Sequence, residues 1–357
     1  MTALDPFLVF FLLWAAPMIA APGGQLTPVA AMTSARAKHS ATLLYNGKVL
    51  IAGGIGSDGS VLASAELYDP ATGKFTPTGS MAQARAAHGA VRLTNGTVLI
   101  VGGTGLKGAL DSCELYDPMA GQFSQTASLH TPRTEASATR LQDDRVLVAG
   151  GIGSDGQSLA STEIYERNAK FISAAAMSTP RTSHSATLLP HERVLIAGGI
   201  GANGPLNSAE LYDAEANRFM PLPNMSVARE RHTAVSIPEL YVLIVGGTDG
   251  RSQQGIATTE IFDIENRKFS DGGSMLQPRF DIPEPVVLTS GKVLVVGGAR
   301  IDEVYDPASK TFTAASGKIE HTRWFHTETL LSDGKVLITG GADEKRRSTA
   351  QAWIYTP

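Results

Sequence analysis

The chain has 357 residues, among them 37 Gly and 19 Pro, with 43% apolar and 18% charged residues and a net charge of -4. No charge block or low-complexity tract divides it, which favours one repeated architecture over two or three unlike domains. The acidic balance offers no field for a phosphate backbone, so nucleic acid is not an expected partner. The single Cys113 excludes both an internal disulfide framework and a Cys-rich metal cluster.

In chain order, the first element is an apolar run over residues 7–21, with Pro17 near its end and small residues at Ala20 and Ala21. This reads as an export signal over residues 1–21, although the preceding residues carry Asp5 and no Lys or Arg. The run is short of the about 20 apolar residues that a membrane span needs, so no span is expected in the mature chain. Secretion or periplasmic release follows, with residues 22–357 as a single domain.

The rest of the chain repeats. Double glycines end an apolar run at Gly54, Gly103, Gly151, Gly199, Gly247, Gly298 and Gly341, each preceded by another Gly, at steps of 49, 48, 48, 48, 51 and 43 residues. An arginine keeps the same register at Arg36, Arg85, Arg133, Arg181, Arg229, Arg279 and Arg323. An apolar residue stands four places before each, from Met32 to Ile319. A fixed period of this length is the mark of a repeat architecture.

Each unit reads as four short strands. Residues 184–189 typify the first, and the apolar run of residues 193–197 is a second strand buried on both faces. A turn over residues 199–207 leads to a third strand, which carries a Glu-apolar-aromatic triplet such as Glu210, Leu211 and Tyr212. A fourth begins at Phe219 and its equivalents. Turn dipeptides such as Asn46-Gly47 and Asp333-Gly334 mark the breaks. Seven such units stacked radially predict an all-β, seven-bladed propeller. Residues 26–32 align with residues 75–81, the start of a fourth strand, while the last unit stops after its third. The amino-terminal segment is therefore predicted to complete blade 7, removing a free edge.

The pattern M-x-x-x-R, the strand ending in Gly-Gly, E-x-Y-D-P and the Phe of the fourth strand together resemble the kelch repeat over residues 26–357. The resemblance implies the same propeller. It leaves function open, because kelch propellers include scaffolds, sugar enzymes and oxidases.

Four G-x-G-x-x-G matches, beginning at Gly54, Gly103, Gly151 and Gly199, follow strands but open no helix. They read as turns rather than dinucleotide sites. His39, His88, His184, His232 and His326 recur three places after the arginine and are expected to be structural or channel-lining.

The seven arginines offer two readings. They could converge at one channel mouth as a guanidinium ring for a carboxylate or acidic partner, as matching arginines do in the kelch domains this resembles. Alternatively each pairs with a repeat glutamate. The repeat breaks at Phe280, Asp281 and Glu284 in blade 6, where the connection through Arg300 is also shortened, and at Trp324, Phe325 and His326 in blade 7. Aromatic rings beside Arg, Asp and His suit a sugar or peptide; the bland alternative is that Trp324 and Phe325 seal the closure seam.

The blade 7 stretch also resembles the copper-binding segment of radical copper oxidases of the galactose oxidase type. Only His326 matches a ligand there, and Phe325 stands where that family has a tyrosine. Cys113 lies in a slot filled elsewhere by Ala65, Thr162, Ala209 and Thr259, which reads as packing. The expectation is a binding module for a protein or an anionic or sugar ligand at the channel mouth. No catalytic set, metal or cofactor is expected. The alternatives are a sugar enzyme of the sialic acid mutarotase type, using Asp281, Glu284 and His326 as acid and base groups, or a degenerate galactose oxidase-like propeller without copper.

Overall fold

The structure, a computed structural model, describes residues 24–251, 255–317 and 322–357. The expected export signal and Ile319 lie outside the described residues. Among those described there is no helix, and so none long and apolar enough to cross a membrane.

Seven four-stranded antiparallel sheets form the blades. Their first strands are Ser40–Leu43, Gly89–Arg92, Ser137–Arg140, Ser185–Leu189, Thr233–Ile237, Val286–Val287 and Thr327–Leu330. Each first strand packs beside those of the blades before and after it, and the seventh returns to the first, so these strands ring the central channel. The second strands, such as Val49–Ala52 and Val98–Val101, are buried at every position, apart from Arg193 and Tyr241 at the starts of two of them. That is why they read as continuous apolar runs rather than alternating ones. The third and fourth strands meet through the repeat aromatics, as in Tyr68 against Phe75 with ring centroids 4.8 Å apart.

Closure is as the alignment predicted. Gln25–Pro28 pairs antiparallel with Ala352–Thr356, with Leu26 opposite Tyr355 and Pro28 opposite Trp353. Leu26, Trp353 and Tyr355 are all buried in a cluster that also takes Val286 and Leu294 from blade 6. Trp353 is thus buried in the closing seam beside the amino-terminal strand.

The glycine pairs lock neighbouring blades together. The second glycine N–H donates to the carbonyl of the next blade's arginine, from Gly54 to Arg85 at 2.9 Å round to Gly341 and Arg36 at 2.9 Å. Both glycines of a pair have positive φ, and a Cβ on Gly53 would come within 2.4 Å of the Arg85 carbonyl oxygen. The G-x-G-x-x-G segments are turns, two of them closed by two-stranded ribbons at Thr104–Gly105 with Gly108–Ala109 and Ile200–Gly201 with Gly204–Pro205.

Blade 6 is the irregular member. In the other six blades the residue after the arginine pairs with the residue after the double glycine, as in Ala37 with Ile55 and Trp324 with Ala342. Among the described residues Phe280 has no such partner. The shortened connection also lacks the carbonyl that receives the first glycine's N–H elsewhere, as Ser64 does for Gly53. The buried Asp302 carboxylate takes its place and accepts from the Gly297 N–H at 3.0 Å.

Candidate functional site

The arginine ring is not at the channel mouth. All seven side chains turn back into their blades and are at most 3% exposed. Arg36 donates to the Gly53 carbonyl at 2.7 Å and to the Glu66 carboxylate at 2.8 Å. The same pair of contacts recurs from Arg85 with Glu114 to Arg229 with Glu260, and Arg279 pairs with Glu303. The second oxygen of the glutamate is used too, accepting for example the Thr33 N–H at 2.7 Å. Arg36, Arg85, Arg133, Arg181, Arg229, Arg279 and Arg323 are therefore blade struts, and the binding reading of the ring is corrected. Arg323 differs, because Trp353 stands where other blades carry the glutamate. Its guanidinium lies 4.7 Å from the Trp353 ring centroid and donates to Gln351 at 2.5 Å.

Two places further along each repeat, the chain does reach the mouth. Lys38, Ala87, Glu135, Ser183, Arg231, Asp281 and Phe325 all have left-handed backbone, with φ between 50° and 57°. This conformation costs a non-glycine residue about 1–2 kcal/mol. Here it is held by a ladder of backbone hydrogen bonds between blades. The Lys38 N–H donates to the Phe325 carbonyl, the Ala87 N–H to Lys38, the Asp281 N–H to Arg231 and the Phe325 N–H to Asp281, at 2.9–3.1 Å. Seven different side chains are thereby presented around one rim.

Beneath the rim lie the repeat histidines. Nε2 of His88, His184 and His232 is hydrogen-bonded to Ser40, Ser137 and Ser185 of the preceding blade, and that of His39 to Thr327 and Thr339. In blade 6 Pro283 stands at the position of that hydroxyl, and among the described residues His326 Nε2 has only Glu328, 3.5 Å away. Burial and then the neighbouring arginine charges push His88, His184, His232 and His326 down to about 3, so all are neutral near pH 7.

The rim and histidines enclose a recess of about 300 Å³. It shares Lys38, Arg231, Asp281 and Phe325 with a second recess of about 460 Å³, walled by Phe280, Trp324 and the blade 7 connection from Ala342 to Ser348. The second recess lies where the short blade 6 connection leaves Phe280 uncovered. Of the residues singled out in the sequence, Phe280, Asp281 and Trp324 do come together here. His326 sits below them with its side chain wholly buried, in the histidine floor of the first recess. Glu284 stands in a different recess of the channel with Arg92 and Thr139. The protein around it pushes its carboxyl up to about 7, while one side stays open to the lumen. Asp281, Glu284 and His326 thus form no common acid and base set.

Lys38, Glu135 and Arg231 went unread in the sequence. Their signal was variation: within R-x-x-H, the second intervening position changes its chemistry in every blade. Lys38 pairs with Glu135 at 2.9 Å and lies 4.7 Å from the Phe325 ring centroid. Against the cost of burial, the Lys38 ammonium and the Ser183 hydroxyl hold the Glu135 carboxyl below its usual range. Asp281 is the reverse case: burial, only partly offset by Arg231 and Lys38, pushes it up to about 6.

A copper site of the oxidase type does not fit these residues. Phe325 has no phenol, the His326 ring faces Glu328 in the interior, and among the described residues no three His, Cys, Asp or Glu groups are placed to hold a metal. Cys113 is fully buried among Val91, Leu129 and Val148, its thiol pushed up to about 11 by burial.

The kelch motif matches residues 36–82 and 181–226. None of the curated proteins compared with the chain matches it. Among solved structures, it is similar to a fungal alcohol oxidase of the AA5 family in complex with copper. The TM-score is 0.76 at 15% identity, over 94% of this chain and 76% of that one. At this identity the likeness concerns the fold. The chain thus carries kelch motifs, and its fold is a β-propeller of seven blades closed by the strand Gln25–Pro28.

Proposed function

We propose that this propeller is an exported binding module that takes a small glycan in the joined recesses over blades 5, 6, 7 and 1. The observation that carries the reading is the gap left by the short blade 6 connection. There Phe280, Trp324 and Phe325 adjoin Lys38, Arg231 and Asp281. Flat apolar rings beside charged donors and acceptors suit a sugar, whose ring faces stack while its hydroxyls need hydrogen bonds. Recess volumes of about 300 and 460 Å³ fall in the range of small-ligand sites rather than of flat protein interfaces. The apolar run of residues 7–21 supports the exported location.

Isothermal titration calorimetry of the mature chain against a panel of neutral and acidic mono- and disaccharides tests this. At least one sugar is expected to bind, with affinity lowered about tenfold or more in Trp324→Ala through lost stacking. A panel without binders, or one whose binders are indifferent to both Trp324→Ala and Phe280→Ala, would sink the proposal.

A further inference from the structure

We propose that the recess selects sugars bearing a carboxylate, that Arg231 is the group that grips it, and that Asp281 is a built-in competitor whose ionisation weakens the grip. The proposal rests on the glycan reading above and adds the ligand class and its regulation.

The two rim ion pairs are unlike. Lys38 and Glu135 meet at 2.9 Å, and the Ser183 hydroxyl donates to the second Glu135 oxygen at 3.3 Å, so that pair is closed on itself. Arg231 touches Asp281 through one nitrogen only, at 3.3 Å. Its side chain is 44% exposed against 12% for Asp281. Among the described residues the Nε and second Nη of Arg231 donate to nothing, which leaves a two-pronged edge of the kind that takes a carboxylate in parallel hydrogen bonds. Asp281 cannot swing far, because its N–H is bound to the Arg231 carbonyl and its own carbonyl to the Phe325 N–H. The guanidinium therefore faces a fixed carboxyl on one side and the recess on the other.

The charges facing Asp281 decide the sign. Blade 5 supplies Arg231 and Glu230, blade 1 Lys38 and blade 3 Glu135. In the adjoining recess Asp343 is held by Arg347 at 2.7 Å, and the recess wall carries both Glu344 and Arg346. The histidine floor is neutral. With Asp281 ionised, it and the groups facing it, Glu230 behind the rim included, make two cations and three carboxylates and repel an anion. Once Asp281 takes up its proton, near pH 6, the excess negative charge is gone and Arg231 loses its internal partner. Carboxylate affinity must then rise as pH falls, until the ligand itself protonates.

Glucose and glucuronate differ at one carbon, which carries a hydroxymethyl group in the first and a carboxylate in the second. Calorimetric titrations of both at pH 7.5 and pH 5.0 test the assignment. Glucuronate is expected to bind about tenfold tighter at the lower pH and glucose equally at both. Asp281→Asn should bind glucuronate tightly at both pH values. Arg231→Met should lose the preference for glucuronate while keeping any glucose binding, and the thermal midpoint of each variant checks that it is folded. Glucuronate affinity that is flat with pH, or a slope that survives in Asp281→Asn, overturns the proposal. Glucose binding that is sensitive to Trp324→Ala, without any preference for glucuronate, overturns it and leaves the glycan reading standing. If neither sugar binds at either pH, the carboxylate assignment fails, and the panel then decides the broader reading.

Discussion

A buried arginine is costly unless a carboxylate meets it, and six of the seven repeats solve the problem with a glutamate from their own third strand. Blade 7 uses the face of Trp353 and the Gln351 amide oxygen instead. The two solutions predict different penalties. Arg229→Met leaves Glu260 desolvated and without its countercharge, which should cost about 3–5 kcal/mol. Arg323→Met strands no carboxylate among the described residues and puts an apolar chain against Trp353, so the loss should be about 1–2 kcal/mol. Urea unfolding of both variants checks the difference; equal losses would mean that the glutamates contribute nothing specific. The same contrast explains a misreading. An arginine kept in every blade answers a demand that every blade shares, whereas a ligand makes its demand at one place.

At the scale of the strand and the turn, most of the architecture was legible. The double glycines, the apolar second strands and the alignment of residues 26–32 with residues 75–81 are local patterns, and each has a local steric or hydrogen-bonding cause. The rim was not legible, because left-handed Lys38, Asp281 and Phe325 are held by bonds between blades that no single repeat encodes. The exchange of a carbonyl for the Asp302 carboxylate was hidden for a similar reason: it compensates a deletion elsewhere in the same loop. The closing strand offers a direct test of what was read correctly. Leu26→Ala empties a buried position opposite Tyr355 and should cost about 2–4 kcal/mol. A chain beginning at residue 30 should lose more, since it also bares the edge of Ala352–Thr356. Hydrogen exchange by mass spectrometry should find the lost protection in Val336–Thr339 and Ala352–Thr356, with Val146–Ala149 in blade 3 unchanged. Uniform loss around the ring would contradict a local closure.

Over the whole molecule, the histidine layer sets how stability depends on pH. Four ring histidines are pushed down to about 3 by burial, and His39 is lowered well below its usual value for the same reason. An unfolded histidine protonates near pH 6.5, so between that value and about 3 the unfolded chain binds more protons than the folded one. Their contribution is fully present above pH 6.5 and is lost as the solution acidifies, at no more than about 1.4 kcal/mol per pH unit for each ring. Carboxyls raised above their usual range oppose this. Asp281 and Glu284 are raised to about 6 and 7, and Glu328 well above its usual value, so their contribution is present at low pH and lost as pH rises through those values. Carboxyls held low by their partners, among them Glu135 and Asp343, act with the histidines, because their contribution too is lost in acid, and the balance falls on the acid side. The thermal midpoint should therefore decline below about pH 6, and His184→Gln, which can keep a hydrogen bond to Ser137 without a titrating ring, should make the decline shallower. A variant that declines as steeply as the parent would show that the acid sensitivity arises elsewhere. Because carboxylate binding at the rim is strongest in the same acid range, ligand at the rim would then oppose the loss of stability that protons bring through the histidine layer beneath. A bound sugar acid should accordingly raise the midpoint more at pH 5 than at pH 7.5.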